Sequence, residues 1–390
     1  MDTRPYYLVA TAGNPNFGDE FITASWLRHL AATSPDTEVW LDCPQPGMAD
    51  LLFGNLHPRL RTTNTLWRAV GEAAAALSPE EVPQRVAGLV RNLGSAAYDL
   101  GLLKLREVQS LHLLGGGYVN GVWPQHAGLV AGMQAVKELT GARLYATGQG
   151  LMPLAVAEED AAGLFGDFDY VSVRDDQSAA AFSAKRGLDD AFLGVEAEIA
   201  RSDGPEGIFV CIQEDMNDEG RFHQAVASAR TLIEQLTLDG TPVYYVEAIP
   251  GVDHTAYALL ADLIPAENFY PFVRVWQEGL PIGPRQQWIT TRFHFHFLAA
   301  AAGARGVALS VKEGYYDVKH ASLTTLGSGW TVDTGNGGPL SMPKVPGTLK
   351  NSLGLRIEQK RAEAARLYPA ENRPAGIRSL RSKALTALSR

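Results

Sequence analysis

Several features that would place the protein in a functional class are missing from its sequence. Only two of the 390 residues are cysteines, Cys43 and Cys211, and they do not have the spacing of a metal site. No apolar run reaches the length of a membrane span. The first residues, MDTRPYYLVATAG, pass directly into a strand-like run without the apolar core of a signal peptide. We therefore expect a cytoplasmic protein in a reducing compartment.

Basic charge is also in short supply. The chain has 34 Lys and Arg residues against 43 Asp and Glu residues, which is a net charge of −9. Because a general nucleic-acid binder presents a basic face, we expect no nucleic-acid partner. The first predicted strand is not followed by G-x-G-x-x-G, so a dinucleotide site is not indicated. What is present is the composition of an ordinary globular protein, 46% hydrophobic, with enough residues for two cores.

Short apolar runs alternate with helical segments in both halves of the chain, which predicts an α/β fold with mostly parallel sheets. The predicted strands are Tyr6–Thr11, Glu38–Asp42, Val108–Leu114, Ala142–Ala146, Phe168–Val173, Ile208–Ile212, Val243–Val246, Trp288–Thr290, Val307–Ser310 and Gly329–Val332. The composition changes at Arg201–Gly207, RSDGPEG, where we predict a linker. We therefore expect one domain over residues 1–200, a second over residues 207–345, and C-terminal helices with a basic tail over residues 350–390.

The most informative stretch is Trp288–Gly306, WITTRFHFHFLAAAAGARG. A short strand leads into Arg292 and His294, and the Ala-rich run that follows predicts a buried helix ending near Gly303. Ligands of α/β sheets bind beyond the carboxyl ends of strands, where a helix N-terminus adds unpaired N–H groups. Arg292 offers a fork for a carboxylate or phosphate, and His294 offers a proton donor. The alternative is that Arg292 pairs with a structural carboxylate and the histidines fill polar gaps, and chemistry alone leaves both interpretations open.

A polar turn follows the first predicted strand. Gly13–Glu20, GNPNFGDE, has glycines for a tight turn and brings Asn16, Asp19 and Glu20 to the start of a helix over Phe21–Leu30. From spacing alone we interpret Asp19 as the N-cap of that helix.

Three later loops also follow predicted strands. The glycines at 115–117 include Gly116 and Gly117, whose N–H groups can approach a phosphate or sugar, although a turn with positive φ is the commoner reason for such a triplet. Gln149 lies in the loop after the fourth strand. Arg174 follows the fifth strand, and taken alone it predicts half of an Arg–Asp surface pair.

Six segments in this order resemble the polysaccharide pyruvyl transferase family. They are GNPNFGDE (13–20), LLGGGYVNG (113–121), TGQGLMPL (147–154), VSVRDDQSA (171–179), ITTRFHFHFLAAAAG (289–303) and YYDVKHASLTTLG (315–327). No segment is specific alone, whereas the ordered set is distinctive. The resemblance implies a GT-B-like fold, with two Rossmann-type domains facing a central cleft and the donor held mainly by the second. It also implies transfer of the enolpyruvyl group of phosphoenolpyruvate to sugar hydroxyls of a glycan or glycolipid, which forms a pyruvate ketal.

The resemblance also implies roles for particular residues. Phosphoenolpyruvate carries a carboxylate and a phosphate, so it needs at least two cationic anchors, and the family's donor-binding positions match Arg174, Arg292 and His294. The full set that we expect to bind substrate is Arg174, Arg292, His294, Lys319, Asn16, Gly116, Gly117 and Gln149. The chain departs from the family pattern at Gly194-Val195-Glu196, where a Gly-Asp pair is usual, and at His296, which is a second histidine.

The expected reaction begins when the donor's methylene carbon is protonated, with His294 as the general acid. Arg292 holds the anionic groups, and Asp19 or Glu20 takes a hydroxyl proton. The scheme needs no metal or cofactor, and the sequence has no ligand cluster for a metal. Two alternatives remain: a GT-B nucleotide-sugar glycosyltransferase, for which no acidic ribose clamp is evident, and a non-catalytic glycan-binding relative.

The last residues differ in charge from the rest of the chain. Residues 373–390, RPAGIRSLRSKALTALSR, contain no acidic residue, and their apolar positions recur at helical spacing. A short basic amphipathic helix can lie on an anionic membrane surface, so peripheral membrane contact is one interpretation. The other interpretations are a helix packed against the first domain and a frayed tail, and we favour these because the apolar face is small and lacks aromatic residues.

Overall fold

The alternation of strand and helix in the sequence becomes two parallel β-sheets. The structure, a computed structural model, describes residues 3–202, 204–335 and 340–370. Every strand pair within the sheets is parallel, and helices connect successive strands, as expected for α/β domains. The sequence-based prediction of two α/β domains with parallel sheets is confirmed.

The first sheet has seven strands in the order β3-β2-β1-β4-β5-β6-β7. The strands are β1 (Tyr6–Val9), β2 (Val39–Asp42), β3 (Leu60–Thr63), β4 (Ser110–Leu113), β5 (Arg143–Gln149), β6 (Tyr170–Val173) and β7 (Lys185–Arg186). The helices of this part are α1 (Phe17–Thr33), α2 (Pro46–Phe53), α3 (Thr65–Ala74), α4 (Val82–Arg91), α5 (Asp99–Leu105), α6 (Ala127–Thr140), α7 (Glu158–Ala161), α8 (Asp176–Ala181) and α9 (Val195–Arg201). Because helices cover both faces, central strands such as β1 and β4 are buried at every residue.

The second sheet has six strands in the order β10-β9-β8-β11-β12-β13. The strands are β8 (Ile208–Cys211), β9 (Val243–Val246), β10 (Phe269–Tyr270), β11 (Gln287–Thr290), β12 (Arg305–Leu309) and β13 (Thr331–Asp333). The helices are α10 (Arg221–Leu236), α11 (His254–Leu259), α12 (Phe272–Glu278), α13 (Phe293–Ala302) and α14 (Tyr316–Thr325), and then α15 (Leu353–Leu367) follows the sheet. The chain order reverses beside β8, and this switch point places the loops after β8 and β11 next to each other.

The start of α1 corrects one prediction. The helix begins at Phe17, four residues before the predicted start, and its N-cap is Asn16, whose side chain accepts a hydrogen bond from the Gly18 N–H. Asp19 is therefore not the cap, and it lies in the first turn of the helix. The sequence pattern misled because Asn and Asp are equally good caps, and spacing alone cannot rank two candidates three residues apart.

The helix α15 returns to the first domain and is anchored there through buried charges. Lys360 forms an ion pair with Asp190, and Asp190 also accepts hydrogen bonds from Trp26 Nε1 at 2.7 Å and from the Gly115 N–H at 2.8 Å. Just beyond α15, the ring of Tyr368 packs edge-on against Tyr6, with 4.7 Å between centroids. The segment that follows the second sheet thus packs against the first domain.

Two predictions concern membranes. In the ranges given above, no helix is both long and apolar enough to cross a membrane. The basic segment at 373–390 lies outside the described residues, so contact of this tail with a membrane surface stays a prediction.

Candidate active site

A cavity of about 200 Å³ lies between the two domains, at the carboxyl ends of their strands. The loops after β1, β4 and β6 form its wall on the first domain, and the loops after β8, β9, β11 and β12 form the opposite wall. Arg174, Arg292, His294 and Lys319 all line this cavity, although two of them lie in loops and two in different helices, α13 and α14. Four side chains that the sequence singled out as cationic anchors therefore converge on one small volume.

Arg292 is the second of two residues between β11 and α13, and it has an extended conformation directly before the helix begins. Its guanidinium forms an ion pair with the fully buried carboxylate of Asp253 and a second one, at 3.2 Å, with Asp215. Asp253 is itself held by the N–H groups of Ala248 and Ile249, at 2.8 and 2.9 Å. Arg292 therefore has the structural carboxylate partner of one interpretation, while its place in the cavity wall leaves ligand binding, the other interpretation, as a prediction. The pairing fixes the orientation of the guanidinium before any ligand arrives.

His294 and Arg174 come from opposite domains and share one carboxylate. Arg174 Nη1 lies 2.7 Å from Asp189 Oδ2, and His294 Nε2 lies 3.4 Å from Asp189 Oδ1. Burial alone would raise the pKa of Asp189, but His294 and Arg174 hold it well below its usual range. The Arg174 guanidinium also lies 4.4 Å from the centre of the Phe293 ring. The prediction that Arg174 belongs to a surface Arg–Asp pair is wrong, because Arg174 is buried and its partner comes from a later loop.

Asp175, the neighbour in sequence, instead caps α8 by accepting a hydrogen bond from the Ser178 N–H at 2.7 Å. The adjacent residues thus have separate roles: Arg174 lines the cavity and Asp175 caps the start of α8.

Lys319 differs from the two arginines because no ion pair links it to a carboxylate in the part of the chain that the structure describes. Its ammonium lies 3.5 Å from the centre of the Tyr315 ring and 5.1 Å from that of Tyr316. Burial and the Arg174 guanidinium hold the pKa of Lys319 well below its usual range, against the opposing effect of Asp19. Lys319 lies in the first turn of α14, directly after the loop that follows β12. An anionic ligand would supply the partner that this lysine lacks.

Two glycines make room for these cations. A Cβ added to Gly117 would lie 2.8 Å from Lys319 Nζ and 3.1 Å from Arg174 Nη2. A Cβ added to Gly18, in the first turn of α1, would lie 2.0 Å from His294 Nδ1. Contacts under 3.0 Å need movement of a neighbour, which is easier at Gly117, where the neighbours are the ends of flexible side chains, than at Gly18, where the neighbour is the His294 ring.

Asp19, from the first domain, is a carboxylate that lines the cavity itself. Asn16 Nδ2 donates a hydrogen bond to Asp19 Oδ2 at 2.9 Å, so the N-cap residue also orients this carboxylate. Burial raises the pKa of Asp19, although His294 and Lys319 act in the opposite direction. Glu20, the alternative base, points away from the cavity and accepts the Gly13 N–H at 3.0 Å.

Two residues of the predicted substrate-binding set do not line the cavity. Gln149 is fully buried at the end of β5, and its side-chain amide donates to the carbonyls of Leu113, Leu114 and Thr147. Gly116 is paired with Gln149 in an isolated bridge and has a φ of 158°. Both shape the loop that carries Gly117, so their contribution is to the backbone, and we do not retain them as substrate contacts.

Comparison with known proteins adds to this geometry. A family model described as "Polysaccharide pyruvyl transferase" matches residues 16–313, which is 298 of the 390 residues. The chain belongs to the polysaccharide pyruvyl transferase family. The matched range contains Asp19, Arg174, Arg292 and His294, whereas Lys319 lies six residues beyond its end. A search of curated proteins finds no match.

Solved structures resemble this pyruvyl transferase family member in fold. A UDP-GlcNAc 2-epimerase from Neisseria meningitidis, bound to UDP-GlcNAc, aligns with a TM-score of 0.50 and 10% identity over 94% of this chain and 95% of that chain. Alr3699/HepE of Anabaena in complex with UDP-glucose aligns with a TM-score of 0.47 and 10% identity over 94% and 95% of the two chains. MurG of Acinetobacter baumannii gives a TM-score of 0.46 and 15% identity over 94% and 96%. The epimerase likeness concerns the fold alone, and it agrees with the GT-B-like arrangement of two domains around a cleft.

Most of the residues that hold the cations of this pyruvyl transferase family member are not evident from its sequence. Asp189, Asp215 and Asp253 each pair with an arginine or histidine of the cavity, yet none stands beside its partner in sequence. Only the position of Asp215 and Asp253 in loops after predicted strands could have pointed to them.

Aromatic residues of the cavity were missed as well. Tyr315 Oη donates a hydrogen bond to the Gly117 carbonyl at 2.9 Å, which joins the two domains over the cavity. Tyr316 Oη accepts from Gln213 Nε2 at 2.6 Å. Trp123 presents a half-buried ring on the first-domain wall. In residues 3–202, 204–335 and 340–370 no group of three or more His, Cys, Asp or Glu side chains is arranged to hold a metal ion.

Proposed function

We propose that this enzyme transfers the pyruvyl group of phosphoenolpyruvate to two hydroxyls of one sugar in a glycan or glycolipid, forming a pyruvate ketal and releasing phosphate. The observation that carries the proposal is the convergence of Arg174, Arg292, His294 and Lys319, from both domains, on one cavity. A carboxylate and a phosphate a few bonds apart match cations on opposite walls. Membership of the polysaccharide pyruvyl transferase family supports the same assignment.

The size of the cavity favours a small donor over a nucleotide sugar. Its volume of about 200 Å³ is below the range of about 300–1,000 Å³ that is common for drug-sized ligands. Three cationic side chains and a histidine in so small a space suit a compact, multiply charged anion.

The donor would lie against two fixed cations and one that lacks a partner. Arg292 and Arg174 are held by buried carboxylates, so they are preorganised, and they would offset charge on the departing phosphate. Lys319 has no carboxylate partner among the described residues and would pair with the donor directly. Among the described residues, Lys319 is thus the cation of this cavity that is left for an anionic donor to pair with.

In the proposed reaction the donor's methylene carbon gains a proton and C2 becomes an oxocarbenium-like centre. One sugar hydroxyl adds to C2, phosphate leaves, and the second hydroxyl closes the ketal. The two hydroxyls release one proton each. One of these protons balances the proton that the methylene carbon has gained, and the other leaves on the phosphate. His294, beside the ionised Asp189, is the proposed acid, and Asp19, held by Asn16, is the proposed base.

The acceptor sugar would stack on Trp123. This ring lies near His126, with centroids 6.2 Å apart and planes 12° from parallel, and near Tyr315, with centroids 6.0 Å apart and planes 76° apart. An aromatic face with a fixed orientation can cover the C–H face of a pyranose, while Asp19 and Asp215 can accept hydrogen bonds from its hydroxyls. Trp123→Ala should raise the acceptor KM with little effect on donor affinity, and Trp123→Phe should restore part of the loss.

The decisive experiment supplies phosphoenolpyruvate or a nucleotide sugar together with a panel of glycan acceptors. We expect acceptor-dependent phosphate release from phosphoenolpyruvate and a ketal methyl signal in the product by NMR. Lys319→Gln should weaken donor binding, measured by calorimetry, whereas Lys312→Gln should not, because Lys312 is seven residues earlier and pairs with Asp218. Glycosyl transfer from the nucleotide sugar, with no phosphoenolpyruvate turnover, would reject the proposal in favour of a glycosyltransferase. Glycan binding with neither reaction would indicate a non-catalytic relative.

A further inference from the structure

A second, larger cavity lies on the far side of the loop that carries Asp189. This cavity, the α15 groove, has a volume of about 790 Å³ and is formed by β6 and β7, the end of α14 and the outer face of α15. Leu188 lines the groove, and the next residue, Asp189, pairs with Arg174 in the wall of the cavity described above, which we call the donor cavity. Two adjacent residues thus belong to different sites: one lines the α15 groove and the other holds a cation of the donor cavity.

The α15 groove carries an excess of positive charge. Five cationic side chains and two carboxylates line it, in a chain whose net charge is −9. The carboxylates are already engaged, because Asp176 pairs with Arg186 at 2.8 Å and Glu363 pairs with Lys360 at 2.5 Å. Asp190 also pairs with Lys360, from behind the groove.

Three cations of the α15 groove are left without an ion-pair partner in the part of the chain that the structure describes. They are Lys185, Arg356 and Arg366. Lys185 and Arg366 both lie near the Tyr170 ring, at 5.5 and 5.4 Å from its centre. Such contacts orient the cations but leave their charge uncompensated.

Arg356 is held in place by neutral groups only. Its Nε donates to Ser352 Oγ at 3.0 Å, and its Nη2 donates to the Leu326 carbonyl at 3.1 Å. Burial and the nearby Arg186 guanidinium lower the pKa of Arg356. Two guanidinium groups thus face the same space, and an anion between them would replace their repulsion with two charge-assisted contacts.

The basic C-terminal segment, residues 373–390, has no acidic side chain that could serve as this anion. Residues 373–390 contain Arg373, Arg378, Arg381, Lys383 and Arg390 and no acidic side chain. The volume of the groove is in the range of small-molecule sites, and Leu188 and Leu326 give it an apolar wall for the organic part of a ligand.

We propose that the α15 groove is a second anion site, which binds a diphosphate group between Arg356, Arg186 and Lys185. The ligand is a phosphate ester with at least two negative charges, either soluble or the headgroup of a lipid. The site is separate from the donor cavity, and its occupancy does not depend on the reaction proposed for that cavity.

The test is calorimetric titration of the full chain with inorganic diphosphate. We compare the wild type with a groove variant, Lys185→Gln/Arg356→Gln, and with a matched control, Arg59→Gln/Arg61→Gln. The control removes two exposed arginines at β3, the opposite edge of the same sheet. A donor-cavity variant, Lys319→Gln, identifies any diphosphate that binds in the donor cavity instead.

We expect the groove variant to lose one binding event, or to weaken it by about tenfold or more, while the control and Lys319→Gln retain it. Equal binding by the groove variant and the wild type would overturn the proposal. Loss of binding only in Lys319→Gln would also overturn it, because the diphosphate would then occupy the donor cavity. Neither result bears on whether the enzyme uses phosphoenolpyruvate.

A second measurement needs no variant, in case the double substitution perturbs folding. Hydrogen exchange of the wild type with diphosphate should protect peptides over 185–188 and 353–366, and unchanged exchange there would contradict the proposal. Vesicles of phosphatidylcholine with and without phosphatidic acid distinguish the two sources. If the wild type binds the vesicles that contain phosphatidic acid and the groove variant does not, the ligand is a lipid headgroup. Binding of diphosphate without vesicle binding assigns it to a soluble ester.

Discussion

Substitution of Gly18 by alanine tests the arrangement of the donor cavity without removing a functional group. The added Cβ would lie 2.0 Å from His294 Nδ1, whereas ordinary contacts begin at 3.4 Å, so the ring or the helix must move by about 1.4 Å (3.4 minus 2.0). A displacement of about 1 Å in a catalytic constellation can cost about 100-fold in rate. Alanine is also the better helix former, by up to about 1 kcal/mol, so the two effects have opposite signs.

We therefore expect Gly18→Ala to fold with nearly unchanged stability and to lose about 100-fold in kcat/KM for phosphoenolpyruvate. The assay is acceptor-dependent phosphate release, set beside thermal unfolding. Gly71→Ala is the matched control, because Gly71 lies in α3 with nothing within 4 Å of an added Cβ. This control should gain stability and keep full activity. A folded Gly18→Ala protein with the turnover of the control would refute the contact between α1 and His294 as a requirement of catalysis.

Three further predictions concern the charged groups. Arg292→Ala should cost about 3–5 kcal/mol of stability, because it leaves the buried Asp253 unpaired, and adding Asp253→Asn should recover much of that stability without recovering donor affinity in calorimetry. His294→Asn should lower kcat by about 10²–10⁴-fold if the histidine is the acid, whereas a fall confined to donor affinity would make it an anchor only. Burial raises the pKa of Glu20 from 4.5 to about 8 in the folded protein. Between these two pH values Glu20 is ionised in the unfolded chain but protonated in the folded protein, so the free energy of unfolding should fall as pH rises from about 4.5 to about 8 and then level off. At about 1.4 kcal/mol per pH unit the loss is about 5 kcal/mol, and Glu20→Gln should remove this part of the pH dependence in urea denaturation; an identical pH profile for both proteins would contradict it.

The strands that the sequence predicts and those that it does not predict differ in their position within the sheets. All central strands were predicted, because burial on both faces leaves a continuous apolar run such as Tyr6–Val9. The missed strands are β3, β7 and β10, which are edge strands with half-exposed or exposed residues. An edge strand has one neighbour and little buried surface, so its composition does not differ from that of a loop.

The cationic residues of the cavity could be predicted, since Arg292 and His294 stand at a strand-to-helix switch that local sequence makes visible. The ordered motifs also indicated the family and the two-domain fold. The first signal depends on neighbouring residues and the second on the order of motifs along the chain. Both are therefore visible in the sequence without the structure.

Only the tertiary structure decided which carboxylate holds which cation. Asp189 serves Arg174 and His294, which lie 15 residues before it and 105 residues after it, while the adjacent Asp175 caps a helix. Gly18 looks like any turn glycine until His294 is found against it, 276 positions later in the chain. A buried ion pair or a close backbone approach requires two surfaces to meet, and which surfaces meet is settled when the two domains pack, not by the neighbours of a residue in sequence.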